Sequence, residues 1–183
     1  VAGVSTADVV LLYDTDHSNA ASASITSGIN STYGEYIFKF YNINPATDDA
    51  YFQFQVNASG QSGYNETITS TAFLNQEQEG GGASAFDYHS GFDQGQATGF
   101  QYLMNNMAND ADQGAAGWLH LFNPSSTTYV KHFYAQSSFS QSADYQETLF
   151  IAGYFNFTAA LTDIQFKMNS GNFDGTIKMW GVK

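Results

Sequence analysis

Apolar residues occupy every second position in several segments of the chain, and this period of two predicts β-strands. Near the C-terminus, Ile164, Phe166 and Met168 alternate with Gln165 and Lys167. A turn rich in glycine, asparagine and aspartate follows, and a second alternating segment ends the chain. The two segments therefore predict an antiparallel hairpin with one buried face.

The same alternation recurs earlier in the chain, for example in segments 35–43 and 51–57. Turn signals separate the candidate strands about every 8 to 12 residues, a spacing typical of β-sandwiches and barrels. We therefore expect an all-β protein, an antiparallel jelly-roll-like β-sandwich of about nine or ten strands in a single domain. Segment 97–108 fits either a strand or a short helix, and Gly153 predicts a bulge in a long apolar strand.

The first candidate strand is different, because Val9, Val10, Leu11, Leu12 and Tyr13 are consecutive apolar residues. A strand without polar alternation is expected to be covered on both faces. A central position in the chain's own sandwich meets this requirement, and so does insertion into a neighbouring subunit by strand addition. The chain is accordingly divided into an N-terminal arm or strand, 1–22, that is open to exchange with a neighbour, and a β-sandwich domain, 23–183.

Composition and charge narrow the range of partners. Seventeen acidic residues against five lysines and no arginine give a formal net charge of −12. Nucleic-acid binding requires a basic surface that displaces counterions from phosphates, so we expect no nucleic-acid partner. Anionic membranes are disfavoured for the same reason, and no apolar run approaches the roughly 20 residues of a membrane-spanning helix. The sequence begins with valine, which is consistent with earlier removal of preceding residues.

The residues give little support for catalysis. The chain contains no cysteine, which excludes disulfides, thiol catalysis and cysteine-ligated zinc. It also lacks the Gly-x-Ser-x-Gly motif of many serine hydrolases. The acids near predicted strands, Glu35, Glu66, Asp144 and Glu147, show no spacing that indicates a catalytic pair. We expect a protein that is not an enzyme.

One segment offers alternating oxygen ligands. Asp14 and Asp16 are separated by a threonine, an arrangement that resembles the start of a calcium-binding loop. The segment lacks the glycine at the sixth loop position and the glutamate at the twelfth. An Asx-rich turn that ends the first strand is the main interpretation, Ca²⁺ held by Asp14 and Asp16 is the alternative, and no other cofactor is expected.

Aromatic residues are abundant, with 16 Phe, 12 Tyr and 2 Trp. Tyrosine and tryptophan side chains next to neutral amides can form platforms for sugars or for other proteins. Tyr41, Tyr134 and Trp180 are the candidates for carbohydrate binding, and the alternative for each is ordinary packing on a half-buried sheet.

Three segments, 33–56, 125–132 and 164–183, together resemble a module of tailed-bacteriophage virion proteins. The most distinctive parts are the turn Asn-Ile-x-Pro-Ala-Thr-Asp at 42–48 and the hairpin Gly-Asn-Phe-Asp-Gly-Thr-Ile at 171–177. Modules of this kind are similar to head-decoration or fibre subunits and also occur attached to tail proteins. The resemblance extends from about residue 22 onward, implies a structural role, and brings no catalytic residues.

These observations together predict a non-enzymatic structural subunit that self-assembles or decorates a larger assembly. A bacteriophage virion decoration or fibre protein and an extracellular filament subunit both fit, with subunit contacts that include N-terminal strand addition. The expected partners are copies of itself or other virion or filament proteins, and the expected location is a virion or the extracellular space. The alternative is a carbohydrate- or receptor-binding β-sandwich, with a glycan as partner.

Overall fold

The computed structural model describes residues 8–183, which form 13 strands and no helix. The strands pack as two antiparallel sheets around one hydrophobic core, which confirms the all-β, jelly-roll-like sandwich in a single domain. Residues 8–183 include no helix long and apolar enough to cross a membrane. In chain order the strands are β1 (Val9–Ala20), β2 (Ala23–Ile25), β3 (Glu35–Pro45), β4 (Phe52–Ala58), β5 (Ile68–Gln78), β6 (Ser84–Tyr88), β7 (Gly95–Ala97), β8 (Gln101–Tyr102), β9 (Ala115–Phe122), β10 (Lys131–Gln141), β11 (Tyr145–Phe155), β12 (Leu161–Met168) and β13 (Phe173–Val182).

The large sheet has nine strands in the order β1-β13-β3-β9-β10-β11-β5-β6, with β7 also paired to β5. The small sheet has four strands in the order β2-β12-β4-β8. Strand β3 pairs with β13 in the large sheet, while β4 pairs with β12 in the small one. The β3–β4 and β12–β13 connections therefore pass between the sheets side by side, as expected of a jelly roll.

The strand count exceeds the predicted nine or ten because several strands are too short to show a period. Strands β2, β7 and β8 have only two or three residues each. In segment 97–108 the strand alternative is correct for Ala97, which ends β7, and for Gln101–Tyr102, and no helix forms there. The backbone N–H groups of Leu103 and Met104 instead donate to the Phe52 carbonyl, which fixes this segment against the small sheet.

Phenylalanines from both sheets meet in the core. Phe166 of β12 lies 5.5 Å and 5.2 Å, between ring centroids, from Phe38 and Phe40 of β3. It also contacts Phe52 and Phe54 of β4, at 6.0 and 6.3 Å. All five side chains are buried, so this cluster joins the two sheets.

Loops cover the far side of the small sheet. Gln55 points away from the core, yet it is completely buried. Its side-chain amide donates to the carbonyls of Glu66, Thr98 and Gly99, which belong to the covering loops. Because the buried amide is hydrogen-bonded, its burial is tolerated. The loops thus cover the far side of the small sheet at β4, whereas Ser24 of β2 on the same side is exposed.

A buried carboxylate makes the stability of the fold depend on pH. Glu147 of β11 is 3% exposed, and Asn105 donates a hydrogen bond to it at 2.8 Å. Burial raises the pKa of Glu147 above its ordinary value, although this hydrogen bond opposes the shift. A raised folded-state pKa means that stability is greatest below the unfolded-state pKa and is lost as pH rises through the folded-state pKa.

We therefore expect Glu147→Gln to raise the free energy of unfolding at pH 7 by roughly 1 kcal/mol and to have little effect at pH 3. Glutamine keeps the acceptor for Asn105, and its added amide is the type of donor that the buried, unpartnered Asn105 carbonyl oxygen lacks. Urea unfolding at both pH values measures the difference. Glu77→Gln, which removes an exposed charge, is the control. Equal effects of the two variants at both pH values would contradict this account.

Candidate functional site: the outer face of the large sheet

The face of the large sheet that points away from the small sheet is the main exposed feature of the molecule. We call it the outer face. Residues directly opposite each other in an antiparallel pair point to the same side, so the strand registers define its members. They are Val9, Leu11, Asp14 and Asp16 of β1; Thr176, Lys178, Trp180 and Val182 of β13; Glu35, Ile37, Lys39 and Tyr41 of β3; Ala116, Trp118, His120 and Phe122 of β9; His132, Tyr134, Gln136 and Ser138 of β10; Thr148, Phe150, Ala152 and Tyr154 of β11; Thr69, Thr71, Phe73 and Asn75 of β5; and Phe86 and Tyr88 of β6.

Exposed apolar side chains are concentrated on this face. Nine large hydrophobic residues are exposed in the described part of the chain, and eight of them belong to the outer face. The ninth, Tyr129, lies in the loop between β9 and β10. Contiguous apolar patches on a protein surface commonly mark interaction sites. The eight residues are Val9, Leu11, Tyr41, Phe73, Phe86, Tyr88, Trp118 and Phe150.

Three aromatic residues form a cluster at one edge of the outer face, which we call the β6 patch: Phe73, Phe86 and Tyr88. Phe73 and Phe86 stack with their rings 6.1 Å apart and nearly parallel, and Phe73 meets Tyr88 edge to face at 5.6 Å. Phe86 is 72% exposed and Tyr88 is 51% exposed. The patch is therefore an organised aromatic surface that remains open to solvent.

A shallow groove of about 310 Å³ lies near the middle of the outer face. Tyr41 and Trp118 line it, and the small side chain of Ala116 leaves space between larger neighbours. Strand β3 has a register shift here, so Tyr41 and Asn42 both lie opposite Ala116. Asn42 adopts a positive φ of 50°, consistent with a β-bulge, and bulges are frequent beside functional sites.

Neutral polar groups line the far wall of the groove. Gln136, Ser138 and Thr148 contribute an amide and two hydroxyl groups. Each of these groups can donate and accept hydrogen bonds. The groove therefore combines aromatic rings on one side with neutral hydrogen-bonding groups on the other.

Two of the five lysines lie beside this groove. Lys39 lines it, and Lys178 is directly opposite Lys39 in the β3–β13 register. The Lys178 ammonium pairs with Asp14 at 2.9 Å, and this carboxylate raises the pKa of Lys178. The Lys39 ammonium lies 5.5 Å from the centre of the Trp180 ring and forms no salt bridge within residues 8–183. Lys39 is thus the lysine of the outer face that has no carboxylate partner within residues 8–183, whereas Asp14 neutralises Lys178.

A second arrangement of polar and aromatic groups lies farther along the outer face. The His120 ring pairs with the Glu35 carboxylate and stacks on Tyr134, with 4.6 Å between ring centroids. Tyr134 stacks in turn near Phe150 at 6.4 Å. Within residues 8–183 the hydrogen-bond partner of the His120 ring is the Glu35 carboxylate, and this pair with the stacked rings orders the surface here.

The predicted strand-donation residues lie in β1, at the edge of the large sheet. Strand β1 pairs with β13 of the same chain, and the two strands run antiparallel. Val9 and Leu11 are exposed on the outer face, while Leu12 and Tyr13 pack against the core and Val10 is half-buried. The expected central position with burial on both faces is therefore wrong for the described chain, because β1 is an edge strand with one uncovered face.

The carboxylates of the proposed calcium site already have partners. Asp14 and Asp16 lie within β1, which continues to Ala20, so the predicted turn is wrong. Asp14 accepts a hydrogen bond from Lys178, and Asp16 accepts one from the Thr176 hydroxyl at 2.6 Å. Within residues 8–183 no group of three or more His, Cys, Asp or Glu side chains is placed to hold a metal ion. Calcium binding by these residues stays a prediction.

The three predicted carbohydrate-binding residues all lie on the outer face, although they do not form one cluster. Tyr41 lines the groove, Trp180 lies next to Lys39, and Tyr134 stacks on His120. Sequence reasoning missed Trp118 as a partner of Tyr41. Its signal was present, since Trp118, His120 and Phe122 alternate with Leu119 and Leu121, which gives β9 an aromatic second face.

The acids near strands are distributed over different parts of the sandwich. Glu35 is on the outer face, Glu147 is buried in the core, and Glu66 accepts a hydrogen bond from the Ala58 backbone beside the small sheet. A larger open cleft of about 570 Å³ lies at one end of the molecule, lined by Tyr33, Phe122, Asn123, Tyr129 and His132 among others. None of the four carboxylates, those of Glu35, Glu66, Glu147 and Asp144, lines this cleft.

No protein-family model matches this chain, and no curated protein matches it. The likeness to bacteriophage virion modules therefore stays a prediction, and the function is argued below from the geometry of the outer face.

Proposed function

We propose that this chain is a non-enzymatic structural subunit that assembles with copies of itself or with other subunits through the outer face of the large sheet. The observation that carries this proposal is the concentration of eight of nine exposed large hydrophobic residues on that one face. A virion decoration or fibre subunit, or an extracellular filament subunit, uses such a surface.

The contrast between the two sheets supports this proposal. Loops cover the far side of the small sheet at β4, where Gln53 and Gln55 are buried. Within residues 8–183 the outer face of the large sheet keeps eight large hydrophobic side chains exposed, although exposed aromatic surface is unfavourable in water. A second subunit on the outer face would remove this surface from water, and aromatic residues are characteristic of protein interfaces.

The two edges of the large sheet supply different contacts. Strand β6 carries the aromatic β6 patch, whereas β1 carries Val9 and Leu11. Because the patches differ, a contact between the β6 edge of one copy and the β1 edge of the next is heterologous and leads to a ring or a filament. Donation of β1 to a neighbour in place of its own β13 is part of the same proposal.

Sedimentation velocity over a range of protein concentrations tests the assembly. We expect the wild-type chain to form oligomers and Phe86→Asp to weaken association at least tenfold, because a charge in the β6 patch must be desolvated. Tyr129→Asp is the matched control, since Tyr129 is equally exposed but lies off the outer face. A monomer at high concentration, or equal effects of the two variants, would refute the proposal.

Two further conditions in the same assay test its details. A chain without residues 1–13 is expected to form smaller oligomers if β1 is donated, and an unchanged oligomer would exclude strand donation.

Subunits of net charge −12 repel each other, so added salt is expected to strengthen assembly.

Glycan binding in the central groove is a second candidate function. The specific observation in its favour is that exposed Tyr41 and Trp118 line the groove together with the neutral hydrogen-bonding groups of Gln136, Ser138 and Thr148. Sugar rings present apolar C–H faces to aromatic rings and hydroxyl groups to amides and hydroxyls, and both kinds of partner are present here.

A further inference from the structure

We infer that the central groove of the outer face binds an anionic glycan, one that carries carboxylate or sulfate groups. This inference rests on the glycan-binding function proposed above for the same groove, and it specifies the charge of the ligand. The observation behind it is that Lys39 is the one charged residue among those that line the groove, in an otherwise acidic protein.

The position of the two lysines lowers the stability of the isolated chain through repulsion between like charges. Lys39 and Lys178 are directly opposite each other on neighbouring strands and point to the same face. Like charges in this position destabilise a sheet. Only one of the two is paired with a carboxylate within residues 8–183, because Asp14 pairs with Lys178. An anionic group bound beside Lys39 would reduce this repulsion.

The other three lysines are not available to this face. Lys131 is buried in the core, and burial lowers its pKa. Lys167 belongs to β12 of the small sheet, where its ammonium lies 4.3 Å from the centre of the Phe100 ring. Lys183 is the last residue of the chain. Lys39 is therefore the lysine that lines the groove and lacks a carboxylate partner within residues 8–183.

Aromatic rings hold both ammonium groups near the groove. The Lys39 ammonium lies over the Trp180 ring, and the Lys178 ammonium lies 6.0 Å from the centre of the Tyr41 ring. Cation–π contacts of this kind restrict long side chains without neutralising them. The charge of Lys39, which has no carboxylate partner within residues 8–183, therefore remains available to a ligand that lies across Tyr41.

The walls of the groove favour a glycan over an acidic peptide as the occupant. Tyr41 and Trp118 offer ring surfaces to the C–H face of a sugar, while Gln136, Ser138 and Thr148 offer neutral donors and acceptors to its hydroxyl groups. The groove lies in the middle of the sheet, between the paired strands β3 and β9, so a peptide could not add to it as a further strand. An acidic sugar satisfies the charge, the rings and the hydroxyl-binding groups together.

Isothermal titration calorimetry with three oligosaccharides of equal length tests this inference: an oligogalacturonate, a sulfated galactan fragment and the neutral galactan fragment. We expect at least one anionic oligosaccharide to bind at least tenfold more tightly than the neutral one, with affinity that falls as salt is added. The two anionic probes distinguish carboxylate from sulfate recognition. An acidic peptide that binds more tightly than either sugar would overturn the assignment to a glycan.

Three variants locate the binding. Lys39→Gln is expected to lower affinity for the anionic glycan about tenfold, because it removes the one charge that lines the groove. Lys167→Gln removes the same charge from the small sheet and is expected to have no effect. Ala116→Leu fills the groove from an exposed position and is expected to abolish binding. Binding that is indifferent to both Lys39→Gln and Ala116→Leu would overturn the inference.

The outcomes separate this inference from the functions on which it rests. Equal affinity for charged and neutral glycans would disprove the preference for anions and would retain glycan binding. No binding of any of the three oligosaccharides would disprove both. Assembly is measured separately by sedimentation, and the titrations use a protein concentration at which sedimentation shows a monomer, because assembly through the outer face would cover the groove.

Discussion

Phe166→Ala is expected to lower the free energy of unfolding by about 3–5 kcal/mol, the usual cost of deleting a buried phenylalanine ring. Phe166 is fully buried and lies within 6.3 Å, between ring centroids, of Phe38, Phe40, Phe52 and Phe54. Its loss leaves a cavity at the point where the two sheets meet, and the cavity adds to the lost transfer free energy. Chemical unfolding followed by tryptophan fluorescence measures the change.

Phe86→Ala is the control for this variant. It removes the same ring from a position that is 72% exposed, so its effect on the monomer is expected to stay below about 1 kcal/mol. Both measurements belong at a protein concentration where the chain is monomeric, because association would add to apparent stability. A similar loss in the two variants would contradict the packing described here.

Gly153→Ala is expected to lower the free energy of unfolding by about 1–3 kcal/mol, the usual cost of overpacking. An added Cβ would lie 2.5 Å from the Thr69 carbonyl oxygen, 2.8 Å from the Ser70 Cβ and 2.9 Å from the Phe133 ring. The Thr69 oxygen and the Ser70 Cβ belong to the paired strand β5, so they cannot move away without disturbing that strand.

Gly99→Ala is the matched control, because an added Cβ at residue 99 meets no atom within 4 Å and its φ is not in the left-handed region. We expect this second variant to change stability by less than about 0.5 kcal/mol. Comparable losses for the two glycines would show that the close contacts at Gly153 are not the cause.

The same position shows where a sequence pattern misleads. Gly153 predicts a bulge, yet β10, β11 and β5 pair without interruption through it. The glycine is needed because Phe133 occupies the space that a side chain would fill. A close approach across strands depends on the register of residues far apart in sequence, and a local pattern contains no information about it.

The alternating segments could be predicted as β-strands because the alternation of apolar and polar residues lies within each segment. Segments 35–43 and 51–57 form β3 and β4 with the expected phenylalanines in the core. The consecutive apolar run of β1 lacks such a signal, and only the sheet order shows that β1 is an edge strand. Val9 and Leu11 are then exposed because they share the uncovered face with Trp180 and Val182.

Which residues form the candidate site depends even more strongly on how the strands pair. Tyr41, Tyr134 and Trp180 were identified as candidates by residue type, and the structure places all three on one face. The groove itself requires Trp118, which is distant in sequence from Tyr41 and Lys39 and lies beside them only through the β3–β9 register. Residue types indicated the chemistry, whereas the sheet order determined which residues meet.

Hydroxyl-radical labelling of the chain before and after assembly tests the central claim, that the outer face of the large sheet is the interaction surface. The account predicts that labelling of Phe86 and Tyr88 falls several-fold on assembly, while labelling of Tyr129, which is exposed elsewhere, stays the same. Protection of Tyr129 with unchanged labelling of the β6 patch would contradict it.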